Sequence, residues 1–286
     1  MTATADTRVS KLERLVVTRP AGEAERWAQA LQNHQWPVQV LPLIDIGEPQ
    51  SPAAQEALLQ ARADWSRWDA LMFVSSAAVK HFFGSGEGLA PDSGSTRFWA
   101  PGPGTGAALT EALNLVGASA DRIDAPPADA QQFDSEALWP VVRAQVAPGK
   151  RVLIVRGATL GGDFVTTPPG LGGQGRAWLI HQCERFGAKV RACVAYERHP
   201  PVWGAALRAQ ALAAARPGSV WLFSSSEALH NLQLGLPGAD WSSAAALATH
   251  ERIARTAHDA GFGEVHASRP ALPDVLRALE SHWSPP

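Results

Sequence analysis

The string FVSSAAV at 73–79 returns as FSSSEAL at 223–229, 150 residues later. In each copy an apolar run ends in serines and a helical pattern follows. Serine at such a junction accepts a hydrogen bond from the first turn of a helix, so each copy reads as a strand-to-helix turn. A second pair follows in the same order: Thr105 precedes Gly117 by 12 residues and Thr249 precedes Gly261 by 12. Helical spacing fills both intervals, and two modules of one topology account for all of it. Around them short β-branched or apolar runs alternate with helical stretches along almost the whole chain. Candidate strands lie at 14–18, 37–46, 70–75, 97–101, 122–125, 151–156, 189–196, 219–224, 245–248 and 264–267, and helices include 21–33 and 251–260. This is the pattern of parallel sheets with crossover helices, so the predicted class is α/β.

The modules are not simply tandem, because a first strand and helix precede the first serine turn by a long way. Two extended runs, PVQVLPLIDI at 37–46 and KVRACVAYE at 189–197, bracket the first module. The expected organisation is therefore one discontinuous α/β domain from 1–37 and 199–286, with a second, 47–188, inserted into it. Segments 38–46 and 189–198 serve as interdomain linker strands, and 286 residues suffice for two cores. The stretch 157–175, with its Gly-Gly, Pro-Pro and Gly-Gly-Gln-Gly, is too long for a tight connection and reads as a mobile surface loop.

Composition removes several function classes. The chain has 25 Lys+Arg against 27 Asp+Glu and no basic run, which argues against a nucleic-acid or anionic-membrane surface. Cys183 and Cys193 are too few for a disulfide framework and lack zinc-ligand spacing. The N-terminal stretch has neither a signal-peptide core nor a membrane span, so a cytoplasmic location is expected. Eleven Trp and nine Phe accompany a single tyrosine, Tyr196.

Familiar chemical motifs are missing. APGPGTGAA at 100–108 lacks the Lys-Ser/Thr of a nucleotide P-loop and the spacing of a dinucleotide fingerprint. GSG at 84–86 is not a nucleophile elbow, and no HExxH occurs. His181, Cys183 and His199 read as packing or surface residues rather than metal ligands. Glu136 and Glu227 follow serines at helix starts, where they complement the helix dipole. What persists is a set of Ser/Thr/Gly turns at strand ends in both modules, with Arg19, Arg156 and Arg198 close by. In open α/β sheets ligands bind beyond the carboxyl ends of the strands, and two such edges facing each other suit a polyanionic substrate. A non-catalytic two-domain small-anion binding protein and a nucleotide-sugar transferase share that outline. The first is disfavoured by the missing signal peptide, the second by the lack of a diphosphate site.

Read together, several stretches resemble the uroporphyrinogen-III synthase family: LVVTRP at 15–20, the two serine turns, residues 102–109, DSEAL at 134–138, VLIVRG at 152–157, residues 187–198 with Tyr-Glu-Arg, and HERIA at 250–254. The resemblance implies two flavodoxin-like or Rossmann-like domains joined by a two-stranded linker. It implies cyclisation of hydroxymethylbilane to uroporphyrinogen III, with loss of water and inversion of the last pyrrole ring, by a monomer without metal or organic cofactor. The small-molecule substrate is the only partner implied, with handover from the preceding bilane-forming enzyme as one route of arrival. The family's tyrosine falls at Tyr196, and a phenol, ordinarily protonated at neutral pH, can donate a proton to a leaving hydroxyl. Thr18, Ser75, Ser76, Thr105, Ser224, Ser225 and Thr249 are the expected receptors for substrate carboxylates, assisted by Arg19 and Arg156. Two departures from the family stand out. Residues 158–175 intervene after Arg-Gly, and ATHER at 248–252 replaces a Gly-Pro-x-Thr turn, which makes His250 or Arg252 a substitute for the hydroxyl of Thr249.

Overall fold

Two strands, β5 (Ala70–Phe73) and β10 (Ser219–Phe223), are buried at every position, as strands are when helices cover both faces of a parallel sheet. They lead into the two serine turns. The computed structural model describes residues 10–84, 86–127, 130, 133–159 and 174–285. The chain divides into two compact units, Met1–Asp45 with His199–Pro286 and Ile46–Arg198.

The first unit contains β1 (Ser10–Lys11), β2 (Arg14–Val17), α1 (Ala21–Gln32) and β3 (Val38–Val40). It resumes with α7 (Ala205–Ala213), β10, α8 (Ser226–Gly235), β11 (Ala245–Ala248), α9 (Glu251–Asp259), β12 (Glu264–Ala267), α10 (Leu272–His282) and β13 (Trp283–Ser284). Its main sheet has the order β12-β11-β10-β2-β3, with every pair parallel. The second unit contains α2 (Pro52–Ala63), β5, α3 (Ser76–Phe83), β6 (Arg97–Trp99), α4 (Pro103–Leu115), β7 (Ile123–Asp124), α5 (Ser135–Val142), β8 (Arg151–Thr159), α6 (Gln174–Arg185) and most of β9 (Lys189–His199). Its sheet order is β4-β9-β8-β5-β6-β7, with β4 (Asp45–Gly47) at one edge.

Written from the opposite edge, the second sheet reads β7-β6-β5-β8-β9, matching β12-β11-β10-β2-β3 strand for strand. The chain order is permuted: the second unit runs straight from β5 to β9, whereas the first passes from β12 through the chain ends to β2. Near those ends the first and last described strands lie side by side, β1 pairing in parallel with β13. The cores repeat as well. Leu15, Val17, Val220 and Leu222 pack with Leu31 of α1 and Leu279 of α10, while Val16, Trp221 and Phe223 pack on the other face with Leu229 of α8 and Ile253 of α9. In the second unit Met72 and Ile154 pack with Leu138 of α5 and Leu179 of α6, and Phe73 and Val155 with Val79 of α3 and Leu109 of α4. Each such large apolar side chain contributes about 1.5–3 kcal/mol by leaving water.

Three sequence readings change. The run 37–46 is not one strand: β3 pairs with β2, β4 belongs to the other sheet, and Pro42, with no N–H to give a ladder, stands in the gap. Residues 189–198 pair with β8 along their length, from Lys189 opposite Arg151 to Arg198 opposite Thr159. β8 itself runs to Thr159, so 157–159 is strand rather than loop; 160–173 lies outside the described residues. The threonines of the second repeat are not equivalent. Thr105 is the third residue of α4, whereas Thr249 precedes the residue that caps α9.

Candidate active site

The carboxyl ends of β9, β8, β5 and β6 lie side by side in the second sheet, and the predicted site residues of that unit gather there. β8 and β9 shift register between Arg156 and Gly157: Arg156 pairs with Val194, and Gly157 pairs with Tyr196. Ala195 is the extra residue of a bulge, a device that re-aims the side chain beyond it. The Tyr196 phenol oxygen lies 3.2 Å from Ser75 Oγ and accepts from Arg198 Nη2 at 3.4 Å. Tyr196 is 2 % exposed, so its oxygen is positioned by these neighbours rather than by solvent.

Ser75 is where this arrangement meets a helix. It caps α3, its Oγ accepting from the Ala78 N–H at 3.2 Å. Since Ser75 Oγ takes one proton from the helix and the phenol oxygen takes one from arginine, a single further proton serves the Ser75–Tyr196 contact. The His81 ring, one helical turn beyond the first turn of α3, stands 5.7 Å from the Tyr196 ring between centroids, tilted by 33°. Burial, opposed by the charge of Glu48, keeps His81 below its ordinary value, so it is neutral at pH 7. Ser76 is the first residue of α3, half-buried, and Thr105 is buried in the first turn of α4. Arg156 Nε is buried with no hydrogen-bond partner.

The first unit places its predicted residues on the equivalent edge, beyond β2, β10 and β11. The Thr18 hydroxyl donates to the Leu222 carbonyl at 2.8 Å and Thr18 is 1 % exposed, so its proton already ties β2 to β10. Arg19 pairs with Glu23 at 3.3 Å and lies 4.0 Å over the Trp27 ring. Burial holds the Arg19 guanidinium below its ordinary value despite the Glu23 charge, and its Nε, like that of Arg156, is buried without a hydrogen-bond partner. The two arginines are equivalent by register: Leu222 pairs with Val17 as Met72 pairs with Ile154, and each arginine follows two residues later. Ser225 caps α8 by accepting from the Glu227 N–H at 3.1 Å, with Ser224 just before it. Thr249 is buried, and the cap of α9 is His250, whose Nδ1 accepts from the Arg252 N–H at 3.0 Å. The Nδ1 of His250 is thus engaged in capping α9.

Ser75, Arg156 and Tyr196 share one edge; Thr18, Arg19, Ser224, Ser225 and Thr249 share the other. Sequence reasoning missed His81 and Gly157. The signal for Gly157 was a glycine inside an apolar strand pattern, which marks a bulge or close approach. Glu136 and Glu227 fall in the first turns of α5 and α8, as dipole complementation requires. Cys183 and Cys193 are buried, their thiols pushed up to about 12 by burial, and inert at neutral pH. Among the described residues no group of three or more His, Cys, Asp or Glu could hold a metal ion, and no helix is long and apolar enough to cross a membrane.

The fold matches solved structures. The uroporphyrinogen-III synthetase of Helicobacter pylori superposes with a TM-score of 0.53 at 14% identity, covering 94% of this chain and 98% of that one. A mutant uroporphyrinogen III synthase of the extremely thermophilic bacterium Thermus thermophilus gives 0.48 at 16% identity, with the same coverage of 94% and 98%. No curated protein sequence matches the chain. The family model described as uroporphyrinogen-III synthase HemD matches residues 25–277. With that match spanning most of its length, the chain belongs to the uroporphyrinogen-III synthase family, whose members close linear hydroxymethylbilane to uroporphyrinogen III.

Proposed function

We propose that Tyr196 donates the proton with which the terminal hydroxyl of hydroxymethylbilane leaves as water. The observation that carries this is the phenol oxygen held between Ser75 Oγ and Arg198. Arginine beside the oxygen stabilises the negative charge that donation leaves on it, and Ser75 fixes its direction. Departure of water breaks the carbon–oxygen bond and leaves an azafulvene cation stabilised by the pyrrole nitrogen. The substituted carbon of the far ring attacks it, giving a spiro intermediate that rearranges. The spiro centre breaks its bond to the former bridging carbon, the unsubstituted carbon of the inverted ring attacks that carbon, and the proton it then loses restores the phenol, so the reaction is proton-neutral overall.

The larger task is geometric. Holding the two ends of a flexible bilane together can lower a barrier by up to roughly 7–11 kcal/mol. Its acetate and propionate groups are the handles. In this reading they are met by Arg156 and Ser76 with the first turn of α4 at Thr105 in one unit, and by Arg19, Ser224, Ser225 and Thr249 in the other. The equivalence of Arg19 and Arg156, each with a buried Nε lacking a hydrogen-bond partner, supports paired anion receptors. Thr18 contributes by holding β2 against β10 rather than by donating to substrate. The reading includes the inserted-domain organisation with linkers at 38–46 and 189–198, and a cytoplasmic monomer that receives its substrate from the bilane-forming enzyme.

Freshly generated hydroxymethylbilane tests the donor. Tyr196→Phe is expected to lower kcat roughly tenfold to a hundredfold, at or below the usual range for a general acid because the pyrrole nitrogen shares the work. The melting temperature should change little. Wild-type yield of the type III isomer from this variant would reject the assignment.

A further inference from the structure

We infer that Gly157 is the positioning residue for the Tyr196 phenol, a role that rests on the reading of Tyr196 as proton donor. In the second sheet β8 lies between β9 and β5. A side chain that starts on β9 and ends beside Ser75, just past the end of β5, crosses the whole width of β8. Neighbouring strands are about 4.8 Å apart, so the ring of Tyr196 lies flat over the middle strand. The residue beneath it is Gly157, its partner in the register.

A Cβ on Gly157 would lie 2.7 Å from the phenol oxygen and closer still to Cζ and Cε2. Carbon contacts are comfortable only from about 3.5 Å, so no other residue leaves the ring where it is. The glycine serves here by its bare face. The bulge completes the device: had the ladder run on without a shift from Arg156 opposite Val194, the partner of Gly157 would be Ala195 and not Tyr196. In the first unit the register-equivalent of Gly157 is Pro20, immediately after Arg19. There the strand has ended at Val17 and α1 begins at Ala21.

The chain has one tyrosine, so protein grown with [13Cζ]tyrosine gives one carbon signal, which reports Tyr196 alone. Gly157→Ala is expected to shift that signal and to lower kcat about as far as Tyr196→Phe does, roughly tenfold to a hundredfold. KM should stay within about twofold, since the carboxylate receptors are untouched. Gly157→Ala/Tyr196→Leu, in which the ring is gone, should melt with Tyr196→Leu alone, which identifies the ring as what the new Cβ meets even if Gly157→Ala folds poorly. The inference is overturned by an unshifted signal, by wild-type kcat in Gly157→Ala, or by a double variant that the alanine damages as much as it damages wild type. Wild-type turnover in Tyr196→Phe with a shifted signal in Gly157→Ala would remove the donor role while upholding the contact.

Discussion

Val155-Arg156-Gly157 in one unit and Thr18-Arg19-Pro20 in the other occupy equivalent places at the end of equivalent strands, and they end differently. Proline has no N–H for a ladder, so no strand runs on past Arg19; β2 ends at Val17 and α1 begins at Ala21. Glycine can pair, so β8 continues to Thr159 and β9 runs beside it to His199. Between them, Val194 of β9 corresponds to Pro42, where the first unit's run breaks. The continued pair of strands is what carries Tyr196 to the edge of its sheet; after allowance for the bulge, the first unit has Leu43 there. The helix facing each position follows suit. His81 of α3 stands against Tyr196, and its counterpart in the repeat, Asn231 of α8, donates to the Leu43 carbonyl at 2.8 Å. On the proposed reading one topology supplies a receptor edge for substrate carboxylates twice and a proton donor once, and the difference lies in whether the strand after the arginine goes on.

The comparison can be broken first at the cores. Phe73 and Phe223 are fully buried equivalents, packed on Phe82 and Phe83 and on Trp221 and Phe262. Alanine at either should cost about 3–5 kcal/mol, read by denaturant unfolding; a loss at only one would end the claim of matched cores. Next come the arginines. Arg156→Ala and Arg19→Ala should each raise KM about tenfold with a smaller change in kcat, as expected for a charged hydrogen bond to substrate. Arg19→Ala should also lower stability by about 0.5–1 kcal/mol through its lost contact with Trp27. An unchanged KM in either variant removes that arginine from the receptors.

The serine caps separate structure from chemistry. Ser75→Ala and Ser225→Ala should each cost about 1 kcal/mol of stability, while only Ser75→Ala lowers kcat, because only Ser75 touches the phenol; Ser225→Ala, at a proposed carboxylate receptor, should act on KM. Equal kcat losses would show that the phenol contact is idle. The smallest effect concerns pH. His81 has a folded value below its ordinary one, so its contribution is full above about pH 6.5 and is lost as pH falls through the folded value. His81→Asn, which installs the first unit's residue, should flatten the acid side of the stability–pH curve. A slope identical to wild type would show that His81 is not buried against Tyr196 in solution.

Much of this was legible in the chain. The repeated turns located β5, β10, α3 and α8, because a serine that caps a helix after an apolar run is a local signal. The strand positions followed from apolar periodicity, which reports how a segment is covered. Other features were not legible. PVQVLPLIDI reads as one interdomain strand, which hides its division into β3 and β4, and the 12-residue spacing of Thr105 and Thr249 concealed helices that start a turn apart. The hydroxyl of Thr18 was read as a receptor because its partner, Leu222, lies 204 residues away.

By itself the sequence determined the α/β class, the duplication, the turns that bear hydroxyls and arginines, and the single tyrosine. Only the tertiary structure decided that Arg19 and Arg156 are equivalent, that Tyr196 crosses β8 to reach Ser75, and that Gly157 leaves room for it. Periodicity and capping act within one or two turns of chain. Register between strands is settled by the packing of segments far apart in sequence, and the candidate site is made of register.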